Sequence, residues 1–325
     1  MKPFRYELAE NAEGAVATMV RPGAAYLAGG TNLVDLMKLG VTAPDLIVDV
    51  SDLPYREVET FEGGGLRIGA LVTNSELATH PVIRTKYPAV SEALLAGASG
   101  QLRNRATVGG NLLQRTRCRY FQDLTKACNK RIPGAGCDAR DGEHHDLAIL
   151  GASPQCIATN PSDLAVALAM VDASVQYIGP HGPAAISVHD LFRRPGDRPD
   201  RDTNLPPGSL ITAVVLPDCA MAAGSRYRKV RDRASFAFAA GSVAAALDVR
   251  DGVVHDVRLA WGAVAHLPWR AWAAERALRG APATPESFQR AAEEELTAAK
   301  PLRDNGYKVP LLRNLTVGLL REMTP

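Results

Sequence analysis

The sequence lacks any apolar stretch of the roughly 18–20 residues that a membrane-spanning helix requires. Residues 1–7 also lack the apolar core of a signal peptide. Neither charge dominates, since 37 basic and 35 acidic side chains leave a net charge of +2, and the sequence pI is about 8.3. A nucleic-acid-binding domain commonly has a pI above about 9. We therefore expect a chain that folds in the cytoplasm, does not insert into a membrane and does not bind nucleic acid.

Closely spaced cysteine pairs are absent as well. Four of the five cysteines fall within 39 consecutive residues, and these are Cys118, Cys128, Cys137 and Cys156. Structural zinc sites usually contain at least one Cys-x2–4-Cys pair, whereas wide spacing in a loop suits a cubane iron–sulfur cluster with one thiolate per iron. Spacing alone leaves three alternatives open: an iron–sulfur cluster, zinc with His144 or His145 as ligands, and free thiols. The fifth cysteine, Cys219, stands apart in the sequence and is predicted to be unligated.

The four cysteines lie in a basic segment without a regular pattern. Residues 100–155 show no sustained helical or strand period. Between residues 115 and 131, Asp123 is the single acid and the cations are Arg115, Arg117, Arg119, Lys126, Lys130 and Arg131. Such cations would offset the negative charge of four thiolates and raise a cluster's reduction potential. Because apolar residues are few here, we expect metal–thiolate bonds to order the whole loop at about residues 115–156.

Two glycine-rich turns lie eighty residues apart in the sequence. The first runs from a strand into a helix and comprises Tyr26, Leu27, Ala28, Gly29, Gly30, Thr31, Asn32 and Leu33. The second contains Thr107, Gly109, Gly110 and Asn111. Glycines let backbone N–H groups approach an anion, and a helix N-terminus adds positive potential. Either turn alone could be purely structural, and neither is a Walker loop or a Rossmann fingerprint. As a pair they suit a dinucleotide, whose pyrophosphate needs donors from two sides.

The remaining pattern predicts an α+β protein with two domains. Residues 4–50 alternate short strands with helices that begin after Asn11 and Asn32, and a helix over residues 162–173 is capped by Ser162. A proline-rich loop follows at residues 192–207, and residues 250–252, Arg-Asp-Gly, join the strands of a hairpin. Helices close the chain near residues 269–278, 285–299 and 310–323. We divide the chain into domains at residues 1–180 and 181–325.

These motifs resemble those of the medium, FAD-binding subunits of the xanthine dehydrogenase family of molybdenum hydroxylases. Residues 94–104, 111–118, 128–131 and 227–235 are similar to the FAD subunits of bacterial periplasmic aldehyde oxidoreductases. The resemblance implies the two-subdomain FAD-binding fold of the vanillyl-alcohol oxidase and p-cresol methylhydroxylase type. A smaller C-terminal α+β domain of the CO dehydrogenase flavoprotein type, an antiparallel sheet with helices, would follow. Where the family has a cysteine loop, it holds a [4Fe–4S] cluster, so Cys118, Cys128, Cys137 and Cys156 are implied as its ligands.

The same resemblance implies partners and an electron path. Substrate, an aldehyde in the similar members, would be oxidised at a molybdenum cofactor on a large subunit. Electrons would pass through two [2Fe–2S] clusters on a small subunit to FAD and then to an external acceptor. The assembly would be a heterotrimer or a dimer of heterotrimers, retained in the cytoplasm or exported with a signal-bearing partner. A complex like hydroxybenzoyl-CoA reductase, or one that oxidises N-heterocycles, is the alternative.

Two further residues take roles from the resemblance, and none is predicted to be catalytic. Asp163 is implied at the adenosine end of FAD, and Lys229 near the flavin, where a cation would stabilise the reduced anion. From the residues alone, Asp163 is equally a helix-start acid and Lys229 a surface lysine. A self-contained flavin oxidase would need its own acid or base, and we find no such constellation. A zinc-stabilised nucleic-acid-binding module is the alternative from another class, and the balanced charge opposes it.

Overall fold

The computed structural model describes residues 1–324, and the described part contains three β-sheets. The first sheet is parallel, with β3 between β1 and β2. Each connecting helix returns the chain to the end of the sheet where the previous strand began, so the strands run in the same direction. Its unit comprises β1 (Arg5–Leu8), α1 (Ala12–Thr18), β2 (Ala24–Leu27), α2 (Leu33–Lys38) and β3 (Leu46–Asp49). The Asn11 side chain accepts a hydrogen bond from the Gly14 amide at 2.7 Å and begins α1. The predicted alternation of strands and helices in this region is confirmed.

The second sheet is antiparallel, in the order β4-β5-β8-β6-β7. Its strands are β4 (Val58–Thr60), β5 (Leu66–Gly69), β6 (Ser174–Gly179), β7 (Gly182–Ser187) and β8 (Leu210–Leu216). The helices around it are α3 (Asn74–Thr79), α4 (Pro81–Lys86), α5 (Pro88–Ala96), α6 (Gly100–Arg103), α7 (Val108–Leu112), α8 (Arg119–Gln122), α9 (Asp163–Met170) and α10 (Val188–Leu191). In the described residues, none of these or the later helices is long and apolar enough to cross a membrane.

The domain boundary expected at residue 180 falls inside this sheet. Residue 180 lies in the turn between β6 and β7, which pair along their full length, and β8 pairs with both β5 and β6. The N-terminal unit therefore extends at least to Leu216, and the proline-rich loop at residues 192–207 lies within it. The sequence did not predict the edge strand β7, which reads Gly-Pro-Ala-Ala-Ile-Ser. An exposed edge strand needs no apolar face and tolerates proline, so it lacks the usual strand pattern.

The third sheet has the order β12-β11-β10-β9 and forms the C-terminal unit. Its elements are β9 (Arg226–Val230), β10 (Gly241–Arg250), β11 (Val253–Gly262), β12 (Trp269–Arg270), α11 (Trp272–Leu278), α12 (Pro285–Leu296) and α13 (Lys308–Met323). Asp251 and Gly252 have φ angles of 50° and 73°, as a two-residue hairpin turn requires, so the predicted hairpin is confirmed. Trp269 and Arg270, expected in a helix, form a short strand against β11 instead.

Both faces of the third sheet are buried, which joins the two units. Val243 and Ala245 of β10 pack with the C-terminal helices, whereas Ala244 and Ala246 on the opposite face pack with α9 of the N-terminal unit. The Arg270 guanidinium, 4% exposed, donates to the Ala169 carbonyl at 2.7 Å and pairs with Asp172 at the end of α9. The C-terminal unit thus fixes α9, whose first residue faces the candidate site.

Candidate functional site

A cleft of about 1000 Å³ opens between the first two sheets and the C-terminal unit. Both glycine turns reach it, as do the start of α9 and strand β9. Of the residues predicted to bind a dinucleotide, those that line the cleft are Gly29, Gly30, Thr31, Asn32, Gly110, Asn111, Asp163 and Lys229. Its size suits a large cofactor rather than a small substrate.

The first turn requires glycine at both positions. A Cβ atom on Gly29 would lie 1.9 Å from the Arg105 carbonyl oxygen, so the backbone segments before the two turns touch each other here. Gly30 has a φ angle of 76°, a conformation that side-chain-bearing residues rarely adopt. The sequence of this turn therefore shapes the cleft through its backbone.

The second turn is the start of α7. The Thr107 hydroxyl accepts a hydrogen bond from the Gly110 amide at 3.2 Å and caps the helix. Gly109 packs against Ala70, whose carbonyl accepts from its amide at 2.8 Å. Gly110 and Asn111 remain on the cleft side. The Asn111 Oδ1 atom accepts a hydrogen bond from the Ser162 hydroxyl at 2.6 Å, which ties this turn to the start of α9.

Six of the residues predicted at the cofactor do not line the cleft: Tyr26, Leu27, Ala28, Leu33, Thr107 and Gly109. The Tyr26 hydroxyl donates to the Gly208 carbonyl at 2.7 Å, and Ala28 packs in the core of the first sheet. Leu27 lies beneath Gly30. These residues hold the turns in place. The prediction that every residue of the two motifs contacts the cofactor therefore included residues that only support the turns.

Unpaired polar atoms along the cleft fit a bound anion. Asn32 Nδ2, Asn74 Oδ1 and Arg117 Nε are buried without a hydrogen-bond partner in residues 1–324, and all three residues line the cleft. Asn32 Oδ1 accepts from the Arg115 amide at 3.1 Å, so the nitrogen of this amide is the group left free. Buried polar groups are normally satisfied, so the cleft residues fit a polar, phosphate-bearing cofactor such as FAD. Sequence reasoning missed Asn74, which no pattern marks, and assigned Arg117 to the cysteine loop alone.

Asp163 and Lys229 meet at one point of the cleft wall. The Lys229 Nζ atom lies 2.7 Å from Asp163 Oδ2, with the two side chains 3% and 10% exposed. The Tyr227 hydroxyl donates to the other oxygen at 2.5 Å, and burial raises the pKa of this phenol well above its usual value. The resemblance placed Asp163 at the adenosine end of FAD and Lys229 near the flavin. Two groups in one ion pair cannot sit at opposite ends of a dinucleotide, so these two assignments together are wrong.

All four clustered cysteines line a second, small cavity: Cys118, Cys128, Cys137 and Cys156. Cys118 precedes α8, and Cys128 and Cys137 face each other in an antiparallel bridge. Burial raises the pKa of the Cys118 thiol to about 11 and that of Cys156 to about 12. Without a metal these thiols are therefore neutral at neutral pH, and a metal would displace their protons on binding. Cys219 packs against a different core and does not line this cavity.

The arrangement of the sulfur atoms suits a larger object than one zinc ion. In residues 1–324, no three of the four sulfurs lie within 4.8 Å of one another, whereas bonds of about 2.3 Å to tetrahedral zinc place thiolates roughly 3.8 Å apart. Neither histidine considered as a zinc ligand lines the cavity. His144 Nε2 lies 2.8 Å from the Arg140 carbonyl oxygen, and His145 stacks on Tyr307 with ring centroids 4.8 Å apart. The donor set fits a cluster that takes one thiolate per iron.

The cleft and the cysteine cavity share a wall. Cys118 lines both of them, and its neighbours Arg117 and Arg119 line the cleft. The cysteine cavity is also lined by Lys130, whose amine pairs with Asp202. Two cofactors in these places would be neighbours, separated by one side chain at the closest point.

The second half of the cysteine segment is ordered by ordinary packing. Leu147, Ile149 and Leu150 are fully buried. The amides of Ile149 and Leu150 donate to the Val264 carbonyl at 2.9 and 3.0 Å, which joins this segment to the C-terminal unit. The expectation that metal–thiolate bonds order the whole loop is therefore wrong for residues 147–150, although residues 118–140 have far fewer buried apolar groups.

Comparison with known proteins agrees with this geometry. Residues 2–219 match the family model of the FAD binding domain in molybdopterin dehydrogenase, and residues 225–324 match the CO dehydrogenase flavoprotein C-terminal domain. The chain is 47% identical to the aldehyde oxidoreductase FAD-binding subunit of Escherichia coli, over 99% of this chain and 98% of that one. It is 25% identical to the glyceraldehyde dehydrogenase medium chain of Sulfolobus acidocaldarius, over 98% of both.

The fold also matches a solved structure along its full length. Carbon monoxide dehydrogenase from Hydrogenophaga pseudoflava contains a chain that superposes with a TM-score of 0.76, at 24% identity, over 99% of this chain and 98% of that one. The fold class predicted from the sequence is confirmed, and so is the family resemblance. The chain belongs to the FAD-binding medium subunits of the molybdenum hydroxylase family.

Proposed function

We propose that this chain carries FAD and a [4Fe–4S] cluster and relays electrons in a molybdenum-dependent complex that oxidises aldehydes. The shared wall at Cys118 is the observation that carries the proposal, because it brings the FAD-sized cleft and the four-cysteine cavity side by side. Two relatives that match almost the whole chain are named for aldehyde oxidation, an aldehyde oxidoreductase and a glyceraldehyde dehydrogenase. The family model names a molybdopterin dehydrogenase.

In this proposal the two glycine turns hold the pyrophosphate of FAD. Gly29, Gly30 and Gly110 bring backbone groups to the cleft, and Asn32 and Asn111 supply side-chain amides. FAD, when bound, supplies the electron-accepting chemistry. The chain itself binds and orients the cofactor, with the remaining predicted residues, Tyr26 to Ala28, Leu33, Thr107 and Gly109, supporting the turns. Asp163 and Lys229 form one wall of the cleft as an ion pair.

Cys118, Cys128, Cys137 and Cys156 are the proposed ligands of the [4Fe–4S] cluster. The cavity lined by four cysteines, in which no three sulfurs lie within 4.8 Å of one another, supports iron over zinc, and so does the absence of both candidate histidines from its lining. Substrate oxidation belongs in this proposal to a large subunit with a molybdenum cofactor. A small subunit with two [2Fe–2S] clusters completes a heterotrimer, either single or dimerised. We propose that the chain folds in the cytoplasm and, if exported, travels with a signal-bearing partner.

The proposal is tested on the chain purified alone and on the chain co-expressed with the two partners. Flavin absorbance and iron and zinc content should show one FAD and about four irons per chain in both samples. Aldehyde oxidation should occur only in the complex. Turnover by the lone chain without molybdenum, or zinc in place of iron, would contradict the proposal. A complex that oxidises N-heterocycles or reduces a thioester, but leaves aldehydes unchanged, would favour the alternative substrate classes.

A matched pair of glycine variants tests where FAD binds. Gly29→Ala should lose FAD, because its Cβ atom would collide with the Arg105 carbonyl and force the two turns apart. Gly100→Ala serves as the control, since nothing lies within 4 Å of a Cβ atom there and its φ angle is not positive. Circular dichroism checks that both variants are folded. Full FAD content in folded Gly29→Ala would show that the turns do not bind it.

A further inference from the structure

The cysteine cavity contains one cationic side chain that is almost completely buried. Lys130 lines the cavity together with the four cysteines, and its side chain is 1% exposed. The ammonium donates to the Pro199 carbonyl at 2.8 Å and forms an ion pair with Asp202. Other cations of the segment, such as Arg119 with a 58% exposed side chain, are screened by water. Lys130 is therefore the cation whose field acts on the cavity with least screening.

The partner of Lys130 is a carboxylate from a different segment of the chain. Asp202 belongs to the proline-rich loop at residues 192–207 and also accepts from Arg115 Nε at 2.6 Å. Its side chain is 31% exposed and does not line the cavity. His266, 4% exposed, lies 4.0 Å from Asp202 and hydrogen-bonds the Ala158 carbonyl through Nδ1. With a neutral His266, two cations and one anion leave the network with one net positive charge.

We propose that this network sets the reduction potential of the [4Fe–4S] cluster, with Lys130 raising the potential and Asp202 lowering it. The inference rests on the cluster assigned under the proposed function. Reduction adds one electron to a site that already holds four thiolates, so a buried positive charge at the cavity favours the reduced form. Asp202 opposes this effect through its negative charge. Lys130 and Asp202 act through their charges, and Arg115 is a positioning residue that holds Asp202.

A redox titration of the full-length chain, loaded with its cofactors, tests the inference. Dithionite is oxidised and passes one electron to the cluster through mediators, and electron paramagnetic resonance measures the reduced fraction. In Lys130→Met the ratio of reduced to oxidised cluster at a fixed potential should fall about tenfold, which corresponds to a shift of about 59 mV to more negative potential. In Asp202→Asn the ratio should rise, because Lys130 and Arg115 then act without their counter-charge. Lys130→Arg keeps the charge and should stay near the wild-type potential.

The control variant is Arg198→Gln, which removes a positive charge from the same proline-rich loop. Arg198 is 54% exposed and pairs with Asp200 at 2.8 Å, so its removal should leave the potential unchanged. Opposite shifts in Lys130→Met and Asp202→Asn support electrostatic tuning, because a purely structural role would not reverse the sign. Shifts in the same direction, or none in either, overturn it.

Iron content separates this inference from the function on which it rests. A wild-type chain without iron contradicts the cluster itself. If Lys130→Met alone fails to take up iron, the direction of the shift in Asp202→Asn decides, with a rise in the reduced fraction supporting the inference and a fall or no change overturning it. Loss of iron from both variants shows that the network holds the loop together, and this result also overturns the tuning role.

Discussion

Lys308, the first residue of α13, is a lysine without contact to water. Its side chain is 0% exposed, and Nζ donates to the carbonyl of Ala263, a cleft residue, at 2.7 Å. Burial lowers the pKa of this amine from 10.5 to about 8, although the nearby Asp146 and Asp232 act in the opposite direction. Between these two pH values the unfolded chain binds more protons than the folded one. The free energy of unfolding therefore rises with pH across this window. Below pH 8 the folded protein bears the full cost of burying the protonated amine.

Replacement of Lys308 by methionine should remove this pH dependence. In the wild type, the amine contributes an increase of up to about 3 kcal/mol in the free energy of unfolding as the pH rises from 8 towards 10.5. Urea unfolding at pH 7 to 9.5 should show a flatter profile for Lys308→Met. Lys86→Met is the control, because Lys86 is 45% exposed. An unchanged slope in Lys308→Met would show that the amine is not buried as described.

Single residues of the site differ in how far the sequence could predict them. Gly29 and Gly30 could be predicted because their role depends on backbone conformation, and glycine itself indicates that conformation. Asn74 and Arg117 were missed as cleft residues because they reach it from distant segments through tertiary packing. The Asp163–Lys229 ion pair joins residues 66 positions apart, and no local pattern encodes such a contact.

At the scale of elements, the cysteine segment divides into two parts. Residues 147–150 are held by core packing and by hydrogen bonds to Val264. Residues 118–140 contain a four-residue helix and one 3₁₀ turn, with Phe121 as their main apolar anchor. Ordering each residue costs roughly 1–2 kcal/mol of conformational entropy, which so few buried groups cannot offset. We therefore expect the first part to depend on a bound metal and the second part not to.

Cys137→Ser should accordingly have a local effect. We expect iron to fall towards zero and residues 118–140 to become sensitive to protease, while residues 147–150 and FAD content stay unchanged. Cys219→Ser is the matched control and should retain all iron, because Cys219 does not line the cavity. Iron analysis and mass spectrometry of limited digests measure both outcomes. Four irons and a protected loop in Cys137→Ser would refute the ligand assignment, and cleavage within residues 147–150 would refute the division of the segment.

Element prediction succeeded where a local signal was strong. The hairpin of β10 and β11 could be predicted from Arg250-Asp251-Gly252. A two-residue turn needs positive φ angles at both central residues, and Asp-Gly is one of the few residue pairs that favour them. Helix α3 begins with a complete capping box between Thr73 and Glu76, which is a local signal of the same kind. The edge strands β4 and β7 were missed, since their side chains are mostly exposed and lack an apolar period.

At the scale of the whole molecule, the two units share one core. Helix α9 of the N-terminal unit packs on the third sheet, and Arg270 of the C-terminal unit holds the end of this helix. Arg270 also pairs with Glu275, which is 0% exposed. The sequence could not reveal this arrangement, because a strand buried on both faces reads as a plain apolar run whichever partner covers it. It follows that the units should not unfold separately.

The chain offers separate optical probes for testing this cooperativity. All three tryptophans, Trp261, Trp269 and Trp272, lie in the C-terminal unit, whereas flavin release reports on the cleft. In denaturant, tryptophan fluorescence, flavin release and circular dichroism should give one coincident transition. Arg270→Met leaves the Glu275 carboxylate without its main partner, which costs roughly 3–5 kcal/mol for a buried pair, and should move all three curves together to lower denaturant. Arg250→Gln breaks an exposed pair with Asp248 and should leave all three in place. If Arg270→Met lowers the midpoint of the tryptophan transition but leaves the midpoint of flavin release unchanged, the two units fold independently.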